Sequence, residues 1–328
     1  MSRRSSTTGA ASAGWPDPAS GSAVSERTIA KLLERLRRLP PQTSLTLGQL
    51  RAQYERAHVA FPLEGEVTLQ VLDTGPVRGE WLLPAGASDA VVLYLHGGGY
   101  VIGSPRSHRH LAADIALAAG TRAFTLDYRL APEHPFPAAL DDAVVAYRWL
   151  IASQRVKPGR IVLAGDSAGG GLVLTTLVAL REAGLPLPAA GVCISPWTDL
   201  SCSLPACDPQ RPSHDPLIDH AVLRAMAHAT MGRRSLRDPR VSPLFADLRG
   251  LPPLLVQVAG GEALVDDARQ LALAASEAGV HTTLEVWPRM IHVWHWYARM
   301  LDEGQQAIER VAQFMHGALR QRAEADPA

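Results

Sequence analysis

The stretch "RIVLAGDSAGGGLVLTTLVALREAG", Arg160 to Gly184, decides the fold. Arg160–Ala164 read as a buried strand and Ala168–Ala183 as a helix. Between them Gly165-Asp166-Ser167-Ala168-Gly169 spells G-x-S-x-G. A turn this sharp, from strand straight into helix, holds its serine in a strained backbone conformation with the hydroxyl exposed. Side chains at the flanking positions would meet the neighbouring strand and helix, which is why glycine stands there. The helix N-terminus also favours negative charge developing beside it. A dinucleotide-binding turn would ask for G-x-G-x-x-G, and the spacing here differs. Ser167 is therefore the candidate nucleophile.

Eight strand candidates follow Glu66: "VTLQVLD", "GEWLLP", "AVVLYLH", "RAFTLDY", "RIVLAG", "AGVCISP", "PLLVQVA" and "TTLEVW". After the third they alternate with helix candidates such as 106–119, 137–153, 168–183, 262–279 and 302–319. Near-continuous apolar strands alternating with helices predict an α/β protein whose mostly parallel sheet is covered on both faces. The first two strands have no helix between them and are expected to pair antiparallel. Two amphipathic helices precede them. "SERTIAKLLERLRRLPP" puts Ile29, Leu32, Leu33, Leu36 and Leu39 on one face, with Ser25 as N-cap and Pro40 and Pro41 as the stop. "TLGQLRAQYERAHVAF" has Thr46 and Gln49 at capping-box spacing.

One connection is long. Residues 197–251 are rich in Pro, Asp, Arg and Ser, with one helical stretch near "DHAVLRAMAHATM", and connections of this length are functional or lid-like. The division that results is 1–22, Ser/Ala/Gly/Pro-rich and expected to be disordered; 23–62, N-terminal cap helices; 63–196 with 252–322, the catalytic α/β domain; and 197–251, a cap insertion. Both cap pieces are expected over the carboxyl edge of the sheet, where open α/β folds bind ligands.

The 328 residues are 47% hydrophobic and 20% charged, with a formal net charge of zero. That composition is ordinary for a globular chain and carries no basic surplus for nucleic acid or an anionic membrane. Lys31 and Lys157 are the only lysines among 32 basic residues. Cys193, Cys202 and Cys207 match no zinc spacing and fit a reduced, cytoplasmic protein. The opening "MSRRSSTTGAASAGWPDPASGSA" has no apolar core after its arginines, so it does not read as a secretory signal. No stretch approaches the roughly 20 apolar residues of a membrane span.

A serine hydroxyl is a weak nucleophile and needs a base. In hydrolases built on such a strand–turn–helix, the acid and then the histidine follow the serine. Of the 12 histidines, His292 sits in the short loop directly after the last strand, in "VWPRMIHVW". His295 lies deeper in the aromatic stretch and reads as a packing residue. The acid belongs in "GGEALVDDARQLA", where Glu262 is nearest the strand end. Asp266 is the next choice, and Asp266 and Asp267 also suit the first turn of a helix. An oxyanion formed on a carbonyl needs preorganised donors. One N–H is available at Ala168. The others are expected in "LYLHGGGYVIGS", Leu93 to Ser104, after the third strand, at Gly97 and Gly98. A phosphate cradle would want a lysine that this motif lacks. His96 then reads as a structural anchor, and Tyr100, Trp197, Val293 and Phe61 as pocket residues.

These motifs together resemble the hormone-sensitive-lipase-like (GDSAG) family of bacterial α/β-hydrolase carboxylesterases. The resemblance rests on "HGGGY" at 96–100, "YRLAPEHPFPAALDDA" at 128–143, "GDSAGG" at 165–170, "SPWTDLS" at 195–201 and "MIHVW" at 290–294, in the family's order. It implies the α/β-hydrolase fold with a cap from the N-terminus and an insertion. It also implies Ser167 as nucleophile, His292 as base, and Gly97, Gly98 and Ala168 as oxyanion donors. Many members carry aspartate at the acid position, where this chain has Glu262. The "VAGGEALVDD" variant resembles members that act as acetyl-hydrolases, short-chain esterases or lactone hydrolases.

The expected activity is hydrolysis of short- to medium-chain acyl esters through an acyl-enzyme, with no cofactor and no metal. A lactone hydrolase, an acetyl-hydrolase or an acyltransferase would use the same residues, and a binding-only module would dispense with the base. In "SPRSHRHLAAD", His108, His110 and Asp114 are read as capping and packing residues rather than metal ligands. Glu133 is a possible support for the oxyanion loop. The expected partner is a small-molecule ester, with neither nucleic acid nor membrane. The eighth strand is expected at the sheet edge, where a second copy could pair to make a homodimer.

Overall fold

The computed structural model describes residues 23–38, 40–63, 65–73, 75–207 and 215–325. The expectations for 1–22, for Leu39 and for part of the insertion, 208–214, lie outside them. Eight strands form one sheet: β1 (Val67–Leu72), β2 (Gly79–Pro84), β3 (Val91–Leu95), β4 (Arg122–Leu126), β5 (Ile161–Asp166), β6 (Ala190–Ile194), β7 (Leu254–Ala259) and β8 (Thr282–Trp287). Their order is β1-β2-β4-β3-β5-β6-β7-β8. β2 runs antiparallel to β1 and β4, and all pairs from β4 to β8 are parallel. This is the mostly parallel eight-stranded α/β sheet that the apolar runs predict.

The helices are α1 (Ala23–Arg37), α2 (Leu47–Glu55), α3 (Ala57–Ala60), α4 (Pro105–Ala119), α5 (Ala138–Ala152), α6 (Ala168–Glu182), α7 (His220–Met231), α8 (Val265–Glu277) and α9 (Asp302–Ala325). Alternation along β3 shows why both faces are covered. Val91, Leu93 and Leu95 pack into the core that includes α5, α6 and α8 residues. Val92 and Tyr94 point the other way, against Leu111 and Ile115 of α4 and Ile308 and Met315 of α9. All five are buried, so β3 carries no polar face.

Two details of the N-terminal segment differ from expectation. The chain is already helical at Ala23, so Ser25 lies inside α1 rather than capping it. The second amphipathic run is broken after Glu55 into α2 and the short α3. Its start is as expected: Thr46 Oγ1 accepts the Gln49 N–H and Gln49 Oε1 accepts the Thr46 N–H, a complete capping box. The insertion contributes α7, capped by Asp219, whose carboxylate accepts the Ala221 and Val222 N–H groups.

Parallel strands end at the same edge of a sheet, and the chemistry-bearing loops collect there. β3 ends at Leu95 before the glycine loop, β5 at Asp166 before Ser167, β7 at Ala259 before Glu262, and β8 at Trp287 before His292.

Candidate active site

The G-x-S-x-G turn is as strained as its spacing implies. Ser167 has φ 54° and ψ −122°, a conformation L-residues avoid and one that costs on the order of 1–3 kcal/mol. Neighbouring backbone holds it there. The Ser167 N–H donates to Ile194 O at 2.8 Å, and its carbonyl accepts the Trp197 N–H at 2.9 Å. A Cβ at Gly165 would stand 2.6 Å from the Leu95 carbonyl oxygen, and one at Gly169 would overlap the same atom. Glycine at those two positions is what lets β5, α6 and β3 approach.

The loops after β7 and β8 supply the candidate acid and the candidate base. His292 Nδ1 lies 3.0 Å from Glu262 Oε1, with both side chains buried. The second oxygen, Oε2, accepts the Ser195 hydroxyl at 2.7 Å and the Ala259 N–H at 3.0 Å. Glu262 precedes α8, which starts at Val265, so its carboxylate is free of the helix and turned back toward the strand ends. Burial pulls the His292 pKa down, but the Glu262 carboxylate, with Asp215 and Asp166 behind it, outweighs burial and leaves it raised above 6.5. Asp215, from the insertion, is itself pushed up by burial. It pins the acid loop through an N–H bond from Ala263 at 3.1 Å.

The other acids in that loop have different work. Asp266 accepts the Ala206 N–H at 2.9 Å and pairs with Arg269. Asp267 is buried and accepts the N–H groups of Thr198 and Asp199, each at 2.8 Å. His295 is buried, its Nε2 2.8 Å from Gln257 Oε1, and burial lowers its pKa to about 3.

The glycine loop requires a correction. The Gly97 N–H is not presented to the cavity. It donates to Asp166 Oδ1 at 3.1 Å and lies 3.2 Å from His108 Nε2. Asp166 also accepts the Tyr94 hydroxyl at 2.7 Å. Burial would raise the Asp166 pKa, but His108 and the Tyr94 hydroxyl hold it below the usual carboxylate range. A Cβ on Gly97 would overlap Asp166 Oδ2, so residue 97 must be glycine for this contact rather than for a substrate. Gly98 and Gly99 instead have φ of 112° and 61° and border the cavity. Among the described residues, the N–H groups of Gly98, Gly99 and Ala168 have no acceptor.

His96 is buried, stacks on Tyr128 at 4.1 Å between ring centroids, and has Nδ1 2.7 Å from Gly97 O. Burial, with His108 nearby, lowers its pKa to about 3, so the ring is a neutral anchor. The loop is also gripped from α2. Arg51 Nε donates to Val101 O at 2.9 Å and Nη2 to Ala131 O at 3.0 Å, while the guanidinium meets Glu133 in a bidentate pair. Glu133 thus reaches the loop through Arg51. One turn further along α2, Glu55 accepts the Ser104 hydroxyl at 2.5 Å.

Ser167, His292, Gly98 and Gly99 open on one cavity of about 720 Å³. Val293, Phe61, Tyr54, Met226 and Trp296 form part of its wall. α1, α2 and α7 all contribute to it, Arg35, Gln53 and Leu223 among them. Tyr100 and Trp197 do not reach it, which corrects their placement as pocket residues. Tyr100 is buried against a separate, very small void beside Phe136 and Leu172. Trp197 is fully buried and donates its indole N–H to Asp199 O at 3.0 Å. Nor do His108, His110 and Asp114 converge: His108 faces Asp166, His110 stacks on Phe61 and Asp114 pairs with Arg299.

A strained serine at a strand–helix turn, a buried histidine–glutamate pair and a glycine loop on one sheet edge define an α/β-hydrolase. A family model described as the alpha/beta hydrolase fold matches residues 92–296. An acetyl-hydrolase of Streptomyces hygroscopicus is 50% identical over 268 residues, 82% of this chain and 89% of that one. An esterase of Acinetobacter venetianus is 32% identical, over 86% of this chain and 93% of its own. The crystal structure of an esterase from the bacterial hormone-sensitive lipase family superposes with a TM-score of 0.85 at 46% identity, covering 92% of this chain and 99% of that one. This chain belongs to the hormone-sensitive-lipase-like branch of the α/β-hydrolase family. Among the described residues, no helix is long and apolar enough to cross a membrane.

Proposed function

We propose that the protein is a serine carboxylesterase in which Ser167 is the nucleophile, His292 the general base and Glu262 the residue that orients and charges it. The observation that carries this is the 3.0 Å contact between His292 Nδ1 and Glu262 Oε1 behind the cavity that Ser167 enters. Glu262 holds the proton on Nδ1 and leaves Nε2 to take the serine proton as Oγ attacks the acyl carbon. The oxyanion is received by the N–H groups of Gly98, Gly99 and Ala168, which have no other acceptor among the described residues. His292 then protonates the leaving alcohol, and water repeats the sequence on the acyl-enzyme.

Residues 23–62 and 197–251 act as a cap. In support, α1, α2 and α7 wall the cavity. Its volume, about 720 Å³, suits short- to medium-chain acyl groups. A second reading, removal of an acetyl group, is favoured by the acetyl-hydrolase that shares half of its aligned residues with this chain. The buried histidine–carboxylate pair argues against a binding-only module. Three free, buried thiols suit a cytoplasmic location. Among the described residues β8 is paired only with β7, so its outer edge offers a homodimer contact that light scattering after gel filtration would test.

The test is Ser167→Ala on p-nitrophenyl butyrate, together with labelling by a fluorophosphonate probe. Loss of both hydrolysis and labelling is expected. A variant that keeps near-wild-type turnover sinks the proposal.

A further inference from the structure

The walls of the active cavity are apolar, but its mouth is not. Arg35 and Arg56 border the cavity that holds Ser167 and His292. A second depression of about 520 Å³ adjoins it, sharing Leu36, Gln53, Leu217 and Ile218 as common wall, and Arg37 and Arg224 border that one. The two together form one funnel between α1, α2 and α7.

Elsewhere in the molecule arginines are commonly matched by carboxylates. Arg109 pairs with Glu80, Arg129 with Asp142, Arg160 with Asp89, Arg299 with Asp114 and Arg310 with Glu285. Among the described residues some arginines elsewhere, such as Arg148, Arg155 and Arg233, also lack a carboxylate partner, but the funnel brings four such arginines together. Among the described residues, none of Arg35, Arg37, Arg56 and Arg224 has a carboxylate partner.

Of the three acids that border the funnel, Asp215 and Asp166 are buried, and Asp219 is exposed but engaged at a helix N-terminus, so four arginines face one exposed carboxylate. Asp219 caps α7 through the Ala221 and Val222 N–H groups. Asp215 is buried and takes the N–H groups of Leu217, Ile218 and Ala263. Asp166 is held by Tyr94 and Gly97 at the base. The funnel therefore carries a positive rim over an apolar shaft. Arg35 is close enough to the buried Tyr297 hydroxyl, which borders the cavity, to work against the effect of burial on it.

We propose that the preferred substrate is an anionic ester: an acyl ester whose end remote from the scissile bond carries a carboxylate or a phosphate-type group, received by these four arginines. Guanidinium forks bind such oxyanions bidentately, and a cleft with low-dielectric walls focuses their field on an approaching anion. This rests on the esterase reading above and names the substrate class for that site.

The experiment compares kcat/KM for matched pairs of esters. On the acyl side the pair is the 4-nitrophenyl monoester of suberic acid against 4-nitrophenyl octanoate, where a carboxylate replaces the terminal methyl. On the alcohol side it is 4-carboxyphenyl acetate against its methyl ester. Each is measured from about 0.02 M to about 0.5 M salt, a range over which exposed charges become screened. It is repeated in Arg35→Gln/Arg56→Gln and Arg37→Gln/Arg224→Gln. In at least one pair the anionic-to-neutral ratio should fall about 3- to 10-fold as salt rises and fall likewise in the variants. A ratio indifferent to both salt and substitution in both pairs overturns the proposal. The salt series on the unaltered protein keeps the test valid if a variant misfolds. Absence of turnover on the neutral esters would instead strike the esterase reading itself.

Discussion

Glu262→Gln is the substitution on which the proposed triad turns. Glutamine has the shape of glutamate, so the cavity is preserved. Two donors face Glu262 Oε2, the Ser195 hydroxyl at 2.7 Å and the Ala259 N–H at 3.0 Å. Ser195 Oγ already accepts the Val293 N–H at 3.2 Å, which directs its own proton at residue 262. Only the amide oxygen of glutamine can occupy that position. The NH₂ group is then forced to the other side, 3.0 Å from His292 Nδ1. An amide donor there makes Nδ1 an acceptor and moves the ring proton to Nε2. Protonated at Nε2, the imidazole cannot take the Ser167 proton. The imidazolium formed later in the cycle also loses its carboxylate. A wrong-tautomer exchange of this kind costs a serine-protease triad about 10⁴ in kcat, and a loss of about 10³–10⁴-fold is expected here. The fold should survive, since bonds from Ser195 and Ala259 lose charge assistance but not their acceptor, about 1–3 kcal/mol in all. The assay is kcat and KM on p-nitrophenyl butyrate, with thermal melting to confirm folding. Asp266→Asn is the control: its ion pair with Arg269 is half exposed on the arginine side, and a change under about threefold is expected. Glu262→Gln within about tenfold of the wild-type kcat, or Asp266→Asn as damaging as Glu262→Gln, would refute the reasoning.

Two further outcomes follow from the same geometry. His292 must be neutral to accept a proton, and its folded pKa is raised above 6.5, so kcat/KM should fall as pH drops through a midpoint above 6.5; Glu262→Gln should move that midpoint down, and a wild-type limb below 6.5 contradicts the electrostatics. Arg51→Gln removes the bonds to Val101 O and Ala131 O and the exposed pair with Glu133; the pair itself is solvent-screened and worth little, but the freed glycine loop should cost kcat about tenfold with little change in KM, and an unchanged kcat would show that the loop does not need α2.

The sheet was legible because its central strands are buried on both faces and therefore read as unbroken apolar runs. β5 shows this most directly: all six of its residues are buried. The loops after β5, β7 and β8 were legible because parallel strands put them on one edge, so chain order alone brought Ser167, Glu262 and His292 to one region. What composition and spacing could not supply was direction. Tyr100 and Trp197 sit among site motifs yet point into the core, where Tyr100 is 3% and Trp197 0% exposed. Asp166 occupies an x position of the G-x-S-x-G motif, and the motif assigns it no role. A carboxylate at the end of a strand buried on both faces must find donors, and that consideration would have pointed to a polar network beneath the glycine loop.

The three glycines make the same point more sharply. In the sequence Gly97, Gly98 and Gly99 are identical, and nothing local says which amides are free. Each is glycine for a different reason, set for Gly97 and Gly99 by a residue distant in the chain and for Gly98 by the turn it makes with Ile102. A Cβ on Gly97 would meet Asp166, on Gly98 the Ile102 carbonyl, and on Gly99 the Met226 sulfur. Gly97 is thereby spent on the elbow, and the two that remain face the cavity. Met226 belongs to α7, while Arg51 and Glu55 grip the same loop from α2. The loop is therefore held between the two pieces proposed as the cap. On this geometry the cap cannot be only a substrate filter, because the helices that wall the cavity also fix the amides that would receive the oxyanion.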